Sequence, residues 1–238
     1  MPNGNIIIAD DSNKKVKMLD KNYRVICQCV LSSSPVSVCK ISDDSLAAAV
    51  YDWTNFHEIN FLAVTSDENL VKTSAFTLNH PCTGVCHNMG LLYITSRTAL
   101  YRYTLTGTLV DKMYEDTSNF NTVFRCALNT REDKIYVLNW AQQQVLTLNM
   151  FGQVLTSFTD PELETPYDVH VSESGHVLIA GYSSKIIIQL NSKGTKKIDH
   201  VVSLKEGNNI LYVCVLKRTG SILVGSYGTD EILVFNTK

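Results

Sequence analysis

Gly175-His-Val-Leu-Ile-Ala, followed after a short polar loop by Ile186-Ile-Ile-Gln-Leu and then by Gly194, is the plainest copy of a pattern that fills this chain. A glycine opens it, an apolar run rich in β-branched residues follows, a loop separates a second such run, and a glycine closes it. Short apolar runs bounded by turn residues read as consecutive antiparallel strands, and the glycines supply the positive φ that tight hairpins need.

The opening half recurs as Gly4-Asn-Ile-Ile-Ile-Ala, Gly90-Leu-Leu-Tyr-Ile-Thr and Gly220-Ser-Ile-Leu-Val-Gly, at spacings of 86, 85 and 45 residues along the series Gly4, Gly90, Gly175, Gly220. Two acidic turns, Asp43-Asp44-Ser45 and Glu132-Asp133, fill the double-length gaps, so the chain resolves into six units of about 43 residues. A second series runs in step with the first: Val16-Lys-Met-Leu, Ile59-Asn-Phe-Leu, Ala99-Leu-Tyr-Arg-Tyr, Val145-Leu-Thr-Leu, Ile186-Ile-Ile-Gln-Leu and Ile232-Leu-Val-Phe. Gly107 and Gly152 close two of these units as Gly194 closes the fifth.

A period of this length with four short strands per unit predicts an all-β fold, a six-bladed β-propeller. With strands a to d counted from the axis outward, the inner strands fall near Val36–Ile41, Gly84–His87, Phe124–Leu128, Tyr167–Val171 and Leu211–Leu216. The first blade then lacks its innermost strand and the last its outermost, leaving about 22 of 24 strands. The expectation is a single domain over 1–238 with blades near 1–31, 32–76, 77–116, 117–160, 161–204 and 205–238. An open seam of this kind leaves strand edges free, so self-association is expected to be possible.

Charge and cysteine usage narrow the function classes. With 21 basic and 23 acidic residues the formal net charge is −2, which gives no global field for nucleic acid or anionic lipid. No apolar run approaches the roughly 20 residues of a membrane-spanning helix, so no membrane partner is expected. The first residues, Met-Pro-Asn-Gly-Asn, do not read as a secretory signal. Seven cysteines, an odd number spread through apolar runs, suit reduced thiols and a cytoplasmic location.

The units resemble NHL repeats, the propeller found at the C-terminus of many tripartite-motif proteins. The resemblance rests on Pro-Asn-Gly-Asn-Ile-Ile-Ile-Ala-Asp (2–10), Tyr-Arg-Tyr-Thr-Leu-Thr-Gly-Thr-Leu-Val (101–110), Pro-Tyr-Asp-Val-His-Val (166–171) and Gly175-His-Val-Leu-Ile-Ala-Gly. The family's Asp, Asn and β-branched strand stand cleanly in the first blade as Asp10, Asn13 and Val16, and later blades depart from it. The resemblance implies a propeller that selects a partner protein while a RING and B-box elsewhere in the parent protein serve ubiquitin transfer. No zinc-finger array of Cys and His occurs in this chain, so the chain itself is not expected to be a ligase.

Alternate connections in a blade share an end, so the b–c and d–a loops are expected on one face. Those loops, with the inner-strand starts, carry Trp53, Asn55, Phe56, Arg97, Phe124, Arg125, Trp140, Tyr167, Tyr182 and Tyr227, the candidate partner-binding residues. Exposed aromatics are favoured anchors because they bury much area with few torsions to freeze. The competing reading has the same rings packed between blades.

A metal reading of Cys82-x3-Cys86-His87 is weakened by register. Cys39, Cys86 and Cys214 align with His170 on inner strands of different blades, and alternation points Cys86 and His87 to opposite faces. One residue before that register stand Ser37, Gly84, Arg125, Asp168 and Tyr212, of which Arg125 and Asp168 are placed to pair. No catalytic group, metal or cofactor is expected. The first function is therefore a protein-interaction module, a non-enzymatic substrate-recognition propeller. The alternative is a platform for single-stranded or stem-loop RNA, and after it a metal-dependent lactonase- or lyase-like enzyme. The first alternative needs a basic aromatic groove; the second needs oxygen ligands converging on an axial cation.

Overall fold

The computed structural model describes residues 4–52, 56–204 and 207–236. The chain is a six-bladed β-propeller, all-β, with no α-helix among the described residues. It divides into two compact units, Met1–Lys112 and Met113–Lys238.

In the first unit β1 (Ile6–Asp10), β2 (Lys15–Leu19) and β3 (Val25–Val30) form a three-stranded antiparallel sheet. Next come β4 (Ser34–Lys40), β5 (Ser45–Tyr51), β6 (His57–Val64) and β7 (Leu70–Thr77) as one sheet, and then β8 (Gly84–Asn88), β9 (Leu91–Ser96), β10 (Ala99–Thr104) and β11 (Leu109–Glu115) as another, the unit boundary falling inside β11. In the second unit β12 (Arg125–Leu128), β13 (Lys134–Asn139), β14 (Gln144–Asn149) and β15 (Val154–Thr159) form the fourth sheet. The fifth holds β16 (Pro166–Val171), β17 (Val177–Gly181), β18 (Ile186–Leu190) and β19 (Lys197–Ser203); β20 (Ile210–Val215), β21 (Ile222–Ser226) and β22 (Ile232–Phe235) make a three-stranded sixth. Every sheet is an up-and-down meander in chain order.

Burial follows strand position. The second strand of each full blade is covered on both faces, as in Leu46–Val50 of β5, Leu92–Ser96 of β9, Ile135–Asn139 of β13 and Val177–Gly181 of β17. The outer strands β3, β7, β11 and β15 are largely exposed. A strand buried on both sides needs a sheet against each face, and its alternate residues show which. Within the first unit, Leu46, Ala48 and Val50 of β5 join Val16 of β2, whereas Ala47 and Ala49 join Val85, Leu92 and Ile94 of the third blade. Within the second, Val177 and Ile179 of β17 join Tyr136 and Leu138 of the fourth blade, whereas Leu178 and Ala180 join Val213 and Val224 of the sixth. Each core is thus a layer between neighbouring blades.

The turn between strands c and d is rebuilt five times from one rule. The last residue of strand c, or the one after it, accepts a hydrogen bond through its side-chain oxygen from the backbone N–H four residues on. The acceptors are Asp20, Thr65, Thr104, Asn149 and Asn191, with distances of 2.9, 3.1, 3.1, 3.0 and 2.9 Å. Three residues after each acceptor the backbone takes positive φ, at Tyr23 (64°), Glu68 (57°), Gly107 (86°), Gly152 (81°) and Gly194 (67°). At Gly152 a Cβ would overlap the Met113 carbonyl oxygen, so glycine is required there by space as well as by backbone.

Candidate functional site

In the inner strands of the second unit, chain economy turns into site geometry. Between Pro166 and Asp168, and between Ile210 and Tyr212, the pairing with the next strand slips by one residue, leaving Tyr167 and Leu211 as bulges. A bulge re-aims its side chain out of the regular alternation. Tyr167 is aimed at the first residue of its own b–c turn, Tyr182, with ring centroids 5.7 Å apart. The two segments are tied by the Tyr182 N–H donating to the Thr165 carbonyl at 2.9 Å and by the Thr165 and Ser183 hydroxyls at 2.8 Å. The same tie recurs on either side, from Trp140 N–H to the Asn121 carbonyl and from Tyr227 N–H to the Asn209 carbonyl.

The result is an aromatic groove of about 350 Å³ lined by Trp140, Tyr167, Tyr182, Tyr227 and Leu211, with Thr165 and Ser183 as its hydroxyls. Tyr167 also meets Phe124 edge-on at 5.1 Å and Tyr212 at 6.2 Å, and Tyr182 meets Tyr227 at 6.4 Å. Behind these rings the Arg125 guanidinium lies 5.4 Å from the Phe124 centroid and 5.8 Å from that of Tyr212. Arg125 is 5% exposed, whereas Tyr227 is 63% exposed.

Beneath the groove Asp168 is half-buried, and its carboxylate accepts the Val213 N–H at 3.0 Å from the next inner strand. Loss of hydration among the inner strands pushes its pKa up to about 6 against the opposing pull of the Arg125 charge, so these two aligned residues do interact. Two residues on, burial pushes His170 down to about 4, leaving it neutral near pH 7, and burial with the nearby Asp168 charge lifts the Cys214 thiol to about 11. A thiol so held is a packing group rather than a nucleophile.

The first unit places its candidates differently. Phe56 is half-buried, and its N–H donates to the Asp52 carboxylate at 3.0 Å. Arg97 takes positive φ (53°) in the tight β9–β10 turn, and its charge helps depress the pKa of buried His57, after burial itself. Trp53 and Asn55 lie outside the described residues. Of the ten sequence-derived positions, the structure gathers Phe124, Arg125, Trp140, Tyr167, Tyr182 and Tyr227 into one cluster within the second unit.

Leu211, Thr165 and Ser183 were not singled out from sequence. Leu211 takes the bulge position of Tyr167 and Thr165 the tie position of Asn121 and Asn209, so the repeat register held the signal. Among the described residues no three His, Cys, Asp or Glu side chains come together as metal ligands. Cys82 packs with its thiol donating to the Val50 carbonyl, and the His87 ring nitrogen accepts the Gly90 N–H.

No family model and no curated protein matches this chain. Solved structures do match in fold. A protein of unknown function from Bacteroides caccae aligns with a TM-score of 0.71 at 13% identity, over 97% of this chain and 89% of that one. A catalytically inactive virginiamycin B lyase from Staphylococcus aureus with quinupristin gives 0.70 at 11%, over 100% and 78%. The Cps50 (Swd1) β-propeller domain of Myceliophteria thermophila gives 0.69 at 11%, over 98% and 80%. At such identities the likeness is one of fold, and it places this chain among β-propellers.

Proposed function

We propose that this chain is a non-catalytic protein-recognition propeller of the kind carried by tripartite-motif proteins, and that it captures its partner on the b–c and d–a loop face of the second unit. The aromatic groove carries this reading: four large rings with hydroxyl and indole groups are held by backbone ties around an open cleft, the composition of an interface core. Support for the finer kinship comes from the first blade. The Asn13 amide donates to both Asp10 carboxylate oxygens at 3.0 Å, Lys17 pairs with Asp10 at 2.5 Å, and Val16 is fully buried, so the residues that resemble the NHL pattern close a b–c turn together. The cytoplasm fits a protein whose seven cysteines are all free thiols.

A photo-crosslinking residue at Tyr227 tests the reading, with Phe151, 85% exposed in the β14–β15 turn, as control. A discrete protein adduct from position 227 and none from 151 is the expected outcome. Equal labelling from both sites, or none from either, would refute it.

A further inference from the structure

Rings alone do not select a partner, and the charges around them can narrow the choice. The loops that line the groove carry Glu164, Asp230 and Glu231, exposed carboxylates with no ion pair among the described residues. The neighbouring acids Asp160 and Glu162 are already matched by Lys197, which bonds both. Lys185 is the ammonium on the β17–β18 turn, and its Nζ is held by the Gly207 carbonyl at 2.8 Å. Arg125 lies behind the rings and interacts with Asp168. Among the described residues of these loops, Glu164, Asp230 and Glu231 outnumber the single cation Lys185, a surplus of negative charge beside the aromatic faces.

A ring face is the negative pole of its quadrupole and attracts a cation, more strongly as both lose water. A planar guanidinium suits such a surface better than a compact ammonium, because it is weakly hydrated and stacks. The cluster already holds one in that manner, the Arg125 guanidinium over Phe124 and Tyr212. We propose that the groove seats an arginine side chain of the partner protein on the faces of Tyr167, Tyr182, Tyr227 and Trp140, with Glu164, Asp230 and Glu231 drawing it in. This deepens the recognition reading and rests on it.

The test is an NMR titration of the full chain with acetyl-Gly-Arg-Gly-amide against the same tripeptide carrying citrulline, a neutral isostere of arginine. The expected result is saturable binding of the arginine peptide, stronger than citrulline by roughly three- to thirty-fold. Tyr182→Leu keeps apolar bulk and removes a ring face, so the preference should collapse while the urea midpoint stays within error. If that variant unfolds, Tyr227→Leu, at a far more exposed position, makes the same test. Glu164→Gln should weaken arginine binding by about two- to threefold, less so in high salt.

Equal affinity for both peptides, no binding of either, or a preference that survives loss of the ring overturns the proposal. A protein adduct at position 227 together with equal binding of the two peptides sinks the arginine and leaves the recognition reading standing. Arginine preference with no protein adduct sinks the recognition reading and with it the partner protein as the source of the arginine, leaving only a groove that holds guanidinium.

Discussion

The two units use the same repeat positions and fill them with opposite chemistry. The first residue after strand b is Asp11, Asp52 and Arg97 in the first unit and Trp140, Tyr182 and Tyr227 in the second. The bulged residue on the inner strand is Val36 in the first unit and Tyr167 and Leu211 in the second. The first unit has aromatics too, but it spends them between blades two and three. There Phe76 lies 5.9 Å from Tyr103, His80 stacks on Tyr101 at 4.1 Å, and the His80 ring bonds the Tyr103 hydroxyl at 2.8 Å. The first unit's rings thus sit on strands c and d and in the loop before strand a, where they close a core, whereas the second unit sets its rings on the bulges and b–c turns, where they line an open cleft. The backbone differs with them: in the second unit the first N–H after strand b reaches the d–a loop carbonyl, whereas the Asp52 N–H turns back to the Phe56 carbonyl of its own loop.

That contrast predicts a gap in stability, the largest effect expected here. Tyr103 is 7% exposed and makes a ring stack and a hydrogen bond, so Tyr103→Ala should cost about 3–5 kcal/mol in urea unfolding. Tyr227→Ala, at an exposed position, should cost about 0.5 kcal/mol or less. Similar losses at the two sites would mean that the groove is a packing layer and that the contrast is one of appearance.

How much of this could be read from the sequence depends on which residues repeat. Gly4, Gly90, Gly175 and Gly220 each take positive φ in the turn before strand b and mark four of the six units, while Asp43-Asp44-Ser45 and Glu132-Asp133 stand at the other two. The c–d turn was recognised only at Gly107, Gly152 and Gly194. In the first two blades Tyr23 and Glu68 hold that conformation, and the acceptor varies among Asp, Thr and Asn, so one geometry hides behind changing letters. The groove was half legible. Aromatics on the b–c turns could be counted, but Leu211 and Thr165 are not aromatic, and only alignment with the bulge at Tyr167 and the tie at Asn121 in neighbouring blades marks them.

A second difference concerns the inner strands and is expected to show as a few degrees of melting temperature. In the first unit the Ser37 hydroxyl accepts the N–H of Val85 in the next blade at 3.2 Å; in the second, the Asp168 carboxylate does the same for Val213. One of these acceptors titrates and the other does not. Asp168 rises from 3.8 to about 6 on folding, so its contribution is full below 3.8 and is lost as pH rises through 6. His170 falls from 6.5 to about 4, so its contribution is present above 6.5 and is lost as pH falls through 4. Between pH 4 and 6 the two slopes oppose each other. Relative to the parent, His170→Gln should therefore gain in melting temperature as pH is lowered from 6.5 to 4, and Asp168→Asn should lose. Parallel shifts in both variants would show that the second unit's acceptor is as indifferent to pH as Ser37.

The smallest effect tests the turns. Both c–d turns that lie wholly within the second unit use glycine at the positive-φ position, Gly152 and Gly194, whereas two in the first use Glu68 and Tyr23. A non-glycine residue in that conformation costs about 1 kcal/mol because its Cβ crowds the following carbonyl. Glycine relieves that strain but widens the unfolded ensemble, which returns part of the gain. Glu68 is exposed on its turn, and its charge acts on the Cys27 thiol only by raising its pKa, so its side chain contributes no attraction there. Glu68→Gly should thus stabilise the protein by roughly 0.5 kcal/mol, seen as a rise in the urea midpoint at constant m-value. Gly194→Ala, where a Cβ would overlap the Thr147 hydroxyl, should move it the other way and further. A destabilised Glu68→Gly would mean that the side chain, and not the turn geometry shared with Gly194, is what this position selects.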